Sequence, residues 1–265
     1  MAKSKSIQDS GPAETSARSA IFLPFVARER EISRLCQLHA EHKHVLILGP
    51  AGVGKSALME QVRERLTLLV SPKSVHFGEI FTSLEPELRL DGEGVTLLQR
   101  KRQLRAALRE CGGVVVFDGV DWTGPKVSSF FESVAERTPV WICTRSDHPW
   151  DIGHLWPLLA RYARVELSPF HLAETQALVE AAVQTGVIPP PTRHIVGWLH
   201  RRSAGSPLVL RELFQELSTG RYDLSSPLAL RRLDLDRRIH EVFPAASVAP
   251  ISPGAKLVIV PPKRG

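Results

Sequence analysis

The segment from Gly49 to Ser56 constrains the fold of this chain most, because its sequence GPAGVGKS matches G-x-x-x-x-G-K-[ST] at every fixed position. It lies between a short, mostly apolar run at 44–48 and a predicted helix at 55–66. Glycines let the backbone turn so that successive amides point inward, and the following helix adds its positive end. The pattern therefore predicts a strand, a phosphate-binding loop and a helix. The candidate binding residues are Gly49, Pro50, Ala51, Gly52, Val53, Gly54, Lys55, Ser56 and Ala57.

Further apolar runs alternate with helical patterns along the first two thirds of the chain. The predicted strands lie at 44–48, 75–77 (a weaker candidate), 114–117, 140–143 and 164–167, with helices at 29–39, 55–66, 95–110 and 125–136. Strands without polar alternation are typical of a sheet that is buried on both faces. The alternation with helices predicts an α/β fold, a parallel sheet flanked by helices.

The texture of the sequence changes near residue 167. Three helices are predicted beyond it, at 172–185, 192–202 and 207–217, separated by a run of three prolines and by Gly205. We therefore expect a flexible basic tail at 1–20, a nucleotide-binding core at 21–167, a small helical subdomain at 168–243 and a proline-rich tail at 244–265. An edge strand at 257–260 is a further expectation.

Charged side chains follow two of the predicted strands. Asp118 ends the run VVVFD, and a carboxylate there is expected to share Mg²⁺ with the Ser56 hydroxyl, while Lys55 reaches the β- and γ-phosphates. Asp121 either polarises the attacking water or caps the next helix. Arg145 follows the strand at 140–143 and either stabilises charge on the γ-phosphate or is simply solvated. The candidate catalytic residues are therefore Lys55, Asp118, Asp121 and Arg145, and the candidate metal ligands are Ser56 and Asp118.

Composition narrows the choice of partners only in part. The 265 residues carry 34 Lys and Arg against 28 Asp and Glu, a formal net charge of +6. Basic residues are concentrated at 100–109 and at 231–238, where they either bind nucleic acid or form a solvated helix face. No apolar run approaches the roughly 20 residues of a membrane span, and the N-terminus is polar. We expect a soluble cytoplasmic protein without a membrane partner, whose three cysteines are free thiols.

Taken together, these motifs resemble those of the P-loop ATPases of the AAA+ and STAND group. The opening FVARERE at 25–31 resembles that group's F-V-G-R-E-x-E, and FDGVD at 117–121 resembles a NACHT-type Walker B strand. The segment ICTR at 142–145 is similar to the sensor strand, ELSPF at 166–170 to the linker into the lid, and GSPL at 205–208 to the lid's G-x-P-L motif. The resemblance implies ATP and Mg²⁺ as cofactors, and it implies that Pro207 approaches the nucleotide base.

This sequence departs from the family pattern at two positions, and these departures affect the function that the resemblance implies. Ala27 replaces the opening glycine, and Gly119 stands where AAA+ proteins have the glutamate that activates water. Slow Mg²⁺-dependent ATP hydrolysis that drives a conformational or assembly switch is therefore expected. The alternative is a module that binds ATP without hydrolysing it and recruits protein or DNA; a small-molecule P-loop kinase is a third reading. A nucleotide-dependent homo-oligomer and an unidentified protein partner are further expectations.

Overall fold

A computed structural model describes residues 23–92 and 94–242 of the chain. The tails predicted at 1–20 and 244–265, with the edge strand predicted at 257–260, lie outside these residues.

The described residues contain one parallel sheet of five strands in the order β2-β3-β4-β1-β5. The strands are β1 (Val45–Leu48), β2 (Leu68–Pro72), β3 (Val114–Val120), β4 (Val140–Thr144) and β5 (Ala163–Glu166). Every residue of β1 and β4 is buried, as expected of strands covered on both faces. The predicted fold class, a P-loop parallel sheet flanked by helices with a helical region after it, is confirmed.

One predicted strand is wrong. The second strand is Leu68–Pro72, and the segment proposed instead, 75–77, runs into the start of a helix at Phe77. His76 caps that helix together with the side chain of Glu79, which accepts a hydrogen bond from the His76 amide at 3.3 Å. The capping box places residue 76 at a helix entrance, and a helix entrance cannot continue a sheet ladder.

Helices cover both faces of the sheet and continue after its last strand. They are α1 (Glu29–Ala40), α2 (Lys55–Arg63), α3 (Phe77–Glu87), α4 (Leu97–Glu110), α5 (Pro125–Ala135), α6 (Pro149–Ile152), α7 (Trp156–Leu159), α8 (Leu172–Gln184), α9 (Val196–Ser203), α10 (Pro207–Leu217) and α11 (Pro227–Val242), with a 3₁₀ turn at Pro190–Ile195. The sequence patterns did not predict α3, α6, α7 or α11. Pro86 interrupts the helical signal of α3, and charged residues dominate α11.

Three hydrophobic clusters hold these elements together. One lies on the sheet face covered by α3, α4 and α5, where the rings of Phe117 and Phe131 stack at 4.0 Å. A second lies on the opposite face, under α1 and α2, and includes the fully buried Trp141. The third belongs to α8–α11 and contains Leu210 and Phe214. Because α8–α11 have a cluster of their own, they pack as a unit beside the carboxyl edge of the sheet.

The opening segment contains a strained residue. Ala27 has φ +61°, in the left-handed region that favours glycine, and it is the position at which the motif normally has glycine. Ala27→Gly is expected to raise the free energy of unfolding by up to about 1 kcal/mol, since the relief of strain exceeds the added chain entropy. Ala106→Gly on the exposed face of α4 is the control, and it should lower that free energy by about 1 kcal/mol. Urea denaturation of both variants measures the difference, and a destabilised Ala27→Gly protein would contradict the assignment of strain.

Candidate functional site

The loop from Gly49 to Gly54 joins β1 to α2. Gly52 and Gly54 have φ +75° and +98°, so the turn uses backbone conformations that other residues rarely adopt. A Cβ atom on Gly49 would lie 2.6 Å from the Leu167 carbonyl oxygen, so this glycine also permits close packing against the end of β5.

The start of α2 presents unpaired amides to the loop. No side chain of the described residues caps this helix, and its first main-chain bond runs from the Leu58 amide to the Gly54 carbonyl at 2.9 Å. The amides of Lys55, Ser56 and Ala57 precede that bond and point out of the helix end. Amides at a helix N-terminus that follows a glycine-rich turn are suited to a phosphate group, so the backbone here fits one.

Lys55 extends back over the loop. Its Nζ donates to the carbonyl oxygens of Gly49 at 2.7 Å and Pro50 at 3.0 Å, which accounts for two of the three ammonium donors. Burial lowers the pKa of Lys55, and the charge of Arg145 lowers it further, whereas the charges of Asp118 and Asp121 raise it. The charges of Asp118, Asp121 and Arg145 are therefore close enough to Lys55 to affect its protonation. All four side chains lie at the carboxyl ends of the strands.

Ser56 and Asp118 meet although 62 positions separate them along the chain. The Ser56 hydroxyl donates to Asp118 Oδ2 at 2.5 Å, and the Gly119 amide donates to Asp118 Oδ1 at 2.7 Å. Asp118 is buried, and the β3–β4 register shifts between Phe117 and Val120, a bulge that Gly119 accommodates with φ +63°. A hydroxyl and a carboxylate at one point are hard oxygen donors, so this pair fits Mg²⁺.

Cys143 lies in the core beside this pair. Burial, followed by the neighbouring Asp118 charge, raises the pKa of its thiol well above the usual value, so Cys143 is a neutral core residue.

Asp121 and Arg145 form the exposed rim of the site. Arg145 Nε lies 3.9 Å from Asp121 Oδ1, and the two side chains are 66% and 53% exposed. The ion pair is weak at this exposure, so both side chains are available to a ligand. Asp121 does not cap α5, whose N-cap residue is Gly124.

The first turn of α10 contacts the loop directly. The Leu208 amide donates to the Gly52 carbonyl at 3.1 Å, and the Ser206 hydroxyl lies 3.5 Å from the same oxygen. A Cβ atom on Gly54 would meet Pro207 at 4.0 Å. The sequence patterns singled out Pro207 but missed Ser206 and Leu208, because hydroxyl and apolar side chains beside a proline carry no separate signal.

Arg28 is a third residue whose contacts the sequence patterns missed. It is buried, it donates from Nη2 to the Ser168 carbonyl at 2.7 Å and from Nη1 to Glu31 at 2.9 Å, and its guanidinium lies 4.8 Å above the Phe170 ring. These contacts join the opening segment to the linker that precedes α8. The sequence signal for these contacts was the arginine within the FVARERE motif. A buried arginine needs acceptors such as a carbonyl oxygen and a carboxylate.

Two kinds of site are absent from the part of the chain that the structure describes. Over 23–92 and 94–242, no group of three or more His, Cys, Asp or Glu side chains has a metal-binding arrangement. No helix in the same ranges is long and apolar enough to cross a membrane.

Comparison with known proteins agrees with the observed fold. The AAA ATPase domain family matches residues 24–142. The ORC1 protein of Aeropyrum pernix, solved in complex with DNA, has a similar fold, with a TM-score of 0.60 and 14% identity over 86% of this chain and 70% of that one. A Walker-type ATPase of Pyrococcus abyssi gives 0.57 and 16% over 82% and 73%, and a RuvB variant of Thermotoga maritima gives 0.50 and 16% over 81% and 69%. No curated protein matches the sequence.

Proposed function

We propose that this chain, whose residues 24–142 match the AAA ATPase domain family, is a P-loop ATPase of the AAA+ type that binds ATP with Mg²⁺ and converts the occupied site into a movement of the helices α8–α11. The contact between the Leu208 amide and the Gly52 carbonyl carries this proposal. It connects the phosphate-binding loop to the first turn of α10 without an intervening side chain.

In this proposal the loop binds the phosphates. The amides at the start of α2 donate to phosphate oxygens, and the Lys55 ammonium neutralises their charge. Ser56 and Asp118 hold Mg²⁺ through their oxygens, and the bound cation supplies further charge neutralisation at the phosphates. Pro207 faces the same loop from α10, in keeping with a place beside the nucleotide.

The proposed coupling follows from the geometry of Gly52. The Gly52 carbonyl accepts a hydrogen bond from the Leu208 amide, and Gly52 is itself part of the loop. A change in loop conformation therefore alters the position of α10. Gly52 and Leu208 are closely packed, because a Cβ atom on Gly52 would lie 2.8 Å from the Cβ of Leu208. A packed contact of this kind passes on a displacement instead of absorbing it. This role makes α8–α11 a lid in the sense of a STAND-type switch.

We propose that hydrolysis at this site is slow. Gly119 has no side chain with which to activate water, and its φ of +63° disfavours a glutamate in this backbone. Asp118 already accepts from Ser56 and Gly119, so the exposed Asp121 is the remaining candidate for positioning the attacking water.

Single-turnover phosphate release from bound ATP tests the hydrolytic step. The wild-type protein is expected to release phosphate at a rate below the roughly 1 s⁻¹ at which typical enzymes begin. Asp121→Asn should lower that rate by about 10–100-fold, since it removes the base without changing the shape. Asp151→Asn, an exposed change on α6, is the control and should leave the rate unchanged. Phosphate release no faster than background, despite ATP binding, would instead favour the ATP-dependent recruiting module.

Self-association in response to nucleotide is part of the proposal. Trp122, Trp150 and Trp156 are 57%, 85% and 47% exposed, and all three lie in segments that follow the carboxyl ends of β3 and β4. Exposed aromatic side chains beside the rim of the site favour a protein contact there. Light scattering is expected to show a larger mass with ATP and Mg²⁺ than without them. An equal mass under both conditions would remove self-association from the proposed switch.

A further inference from the structure

The two basic segments of the chain differ in how their charges are compensated. On α11, Arg237 lies 2.7 Å from Glu212, Arg238 lies 3.3 Å from Asp234 and Arg232 lies 3.7 Å from Asp236. Arg202 of α9 also pairs with Asp234. The cations of α11 are therefore largely neutralised, within a network that joins this helix to α9 and α10.

The cations of α4 are mostly uncompensated. Arg100 is bound to Glu85 through two hydrogen bonds of 2.9 and 2.5 Å, but Arg102 and Arg105 form no ion pair with any residue in the ranges 23–92 and 94–242. Lys101 lies 3.6 Å above the Phe77 ring and likewise has no acidic partner there. A second element adds to this charge, since Lys126 of α5 is exposed and unpaired among the described residues.

These side chains line one groove between α4 and α5, which we call the α4–α5 groove. The residues lining it are Leu98, Lys101, Arg102, Arg105, Pro125, Lys126, Ser129, Phe130 and Ser133, and none of them is acidic. Burial lowers the pKa of Lys101, and the nearby charge of Lys126 lowers it further. Such crowding of like charges costs free energy unless an anion compensates it.

The helix ends contribute to the same potential. α5 begins at Pro125 with Gly124 as its N-cap and without a side-chain cap among the described residues, so its positive end opens beside Lys126. Ser129 follows along the groove and supplies a hydroxyl group, a common phosphate contact in nucleic-acid complexes, whereas the Ser133 hydroxyl donates to the Phe130 carbonyl at 2.8 Å.

We propose that the α4–α5 groove binds the phosphate backbone of a nucleic acid, whereas the basic residues of α11 do not. Lys101, Arg102 and Arg105 line the groove within about 6 Å of helix length, Arg109 lies one further turn along α4 beyond the groove lining, and a duplex carries one phosphate charge per roughly 1.7 Å of its axis. Several phosphates therefore fit along the groove at once. Arginine suits them because its planar fork binds phosphate through two donors. The inference names a nucleic-acid partner for the ATP-binding module proposed above and rests on that module only for its connection to ATP.

Fluorescence anisotropy with a labelled 20-base-pair duplex and the full chain tests the inference. The variant Arg102→Gln, Arg105→Gln, Lys126→Gln removes three groove cations. The variant Arg201→Gln, Arg221→Gln, Arg231→Gln removes three exposed cations from the region of α9–α11 and is matched in charge. The wild type should bind with an affinity that falls steeply as salt rises from 50 to 200 mM. At 100 mM salt the groove variant should bind on the order of 100-fold more weakly, and its plot of log K against log salt should be flatter by about 2–3. The control should retain the wild-type affinity within about threefold.

Four outcomes would overturn the inference: equal losses in the two variants, a duplex affinity that ignores salt, no duplex binding by the wild type, or tighter binding to poly-L-glutamate than to the duplex. ATP affinity is measured on the same samples. A groove variant that binds ATP normally but has lost the duplex supports the groove, and a wild type that binds the duplex but not ATP contradicts the proposed function alone.

Discussion

Lys55→Ala is expected to weaken ATP binding by on the order of 100-fold, or about 3 kcal/mol. Lys55 is the cation in the loop itself, where its Nζ lies 2.7 Å from the Gly49 carbonyl and 3.0 Å from the Pro50 carbonyl. Alanine removes the charge that opposes the phosphates but leaves the loop amides in place. Some affinity should therefore remain, and the loss should be larger for ATP than for adenosine, which lacks phosphate.

Isothermal titration with ATP and Mg²⁺ measures this effect. The matched control is Lys43→Ala, since Lys43 is an exposed lysine two positions before β1, at the opposite end of that strand from the loop. It removes the same charge and should leave ATP affinity within about twofold of wild type. Circular dichroism checks that both variants fold. A folded Lys55→Ala protein with unchanged affinity would refute the assignment of the loop as the nucleotide site.

Gly205→Ala is expected to destabilise the packing of α8–α11 by about 3–5 kcal/mol. Gly205 has φ +73°, and a Cβ atom there would lie 2.2 Å from the Phe170 carbonyl oxygen. The Gly205 carbonyl also accepts a hydrogen bond from the Phe170 amide at 2.8 Å, so the clash cannot be relieved without breaking this contact. The substitution therefore loosens the linker before α8 and the entry to α10 at the same time.

Gly220→Ala separates the steric effect from the conformational one. Gly220 has φ +68°, nearly the same conformation, but nothing lies within 4 Å of its added Cβ. It should cost only the conformational term, about 1 kcal/mol. Hydrogen exchange of the α9 and α10 amides is the direct measurement, and the partly buried Trp198 in the same cluster offers a fluorescence signal. Equal destabilisation by the two substitutions would mean that the contact with Phe170 contributes nothing.

If the proposed coupling is correct, Gly205→Ala also changes the response to nucleotide. ATP should still bind through the loop and Lys55, whereas the protection from hydrogen exchange that ATP confers on α10 should decrease. An unchanged ATP-dependent protection of α10 in this variant would separate the helices from the nucleotide site and contradict the switch.

The sequence patterns predicted the elements that are built from neighbouring residues. β1, the loop and the start of α2 follow one another within a dozen residues, and α10 begins and ends where proline and the apolar spacing indicate, at Pro207–Leu217. The patterns were wrong where local signals conflict, as at 75–77, where short apolar residues precede a helix entrance. They missed α11, because charged residues interrupt its apolar spacing and because its ion pairs with α9 and α10 and its buried Leu233 depend on partners that are distant in sequence.

The sequence by itself determined the fold class and the position of the glycine-rich loop between β1 and α2, since both depend on residue spacing and on backbone freedom at fixed positions. Only the tertiary structure decided which of the polar residues act together. Parallel pairing brings the ends of β1 and β3 to one edge, so the Ser56 hydroxyl meets Asp118, and packing of α10 sets the Leu208 amide on Gly52. The tertiary structure also decided which arginines are neutralised. An ion pair depends on the distance between two side chains in space, and the spacing of residues along the chain does not reveal that distance.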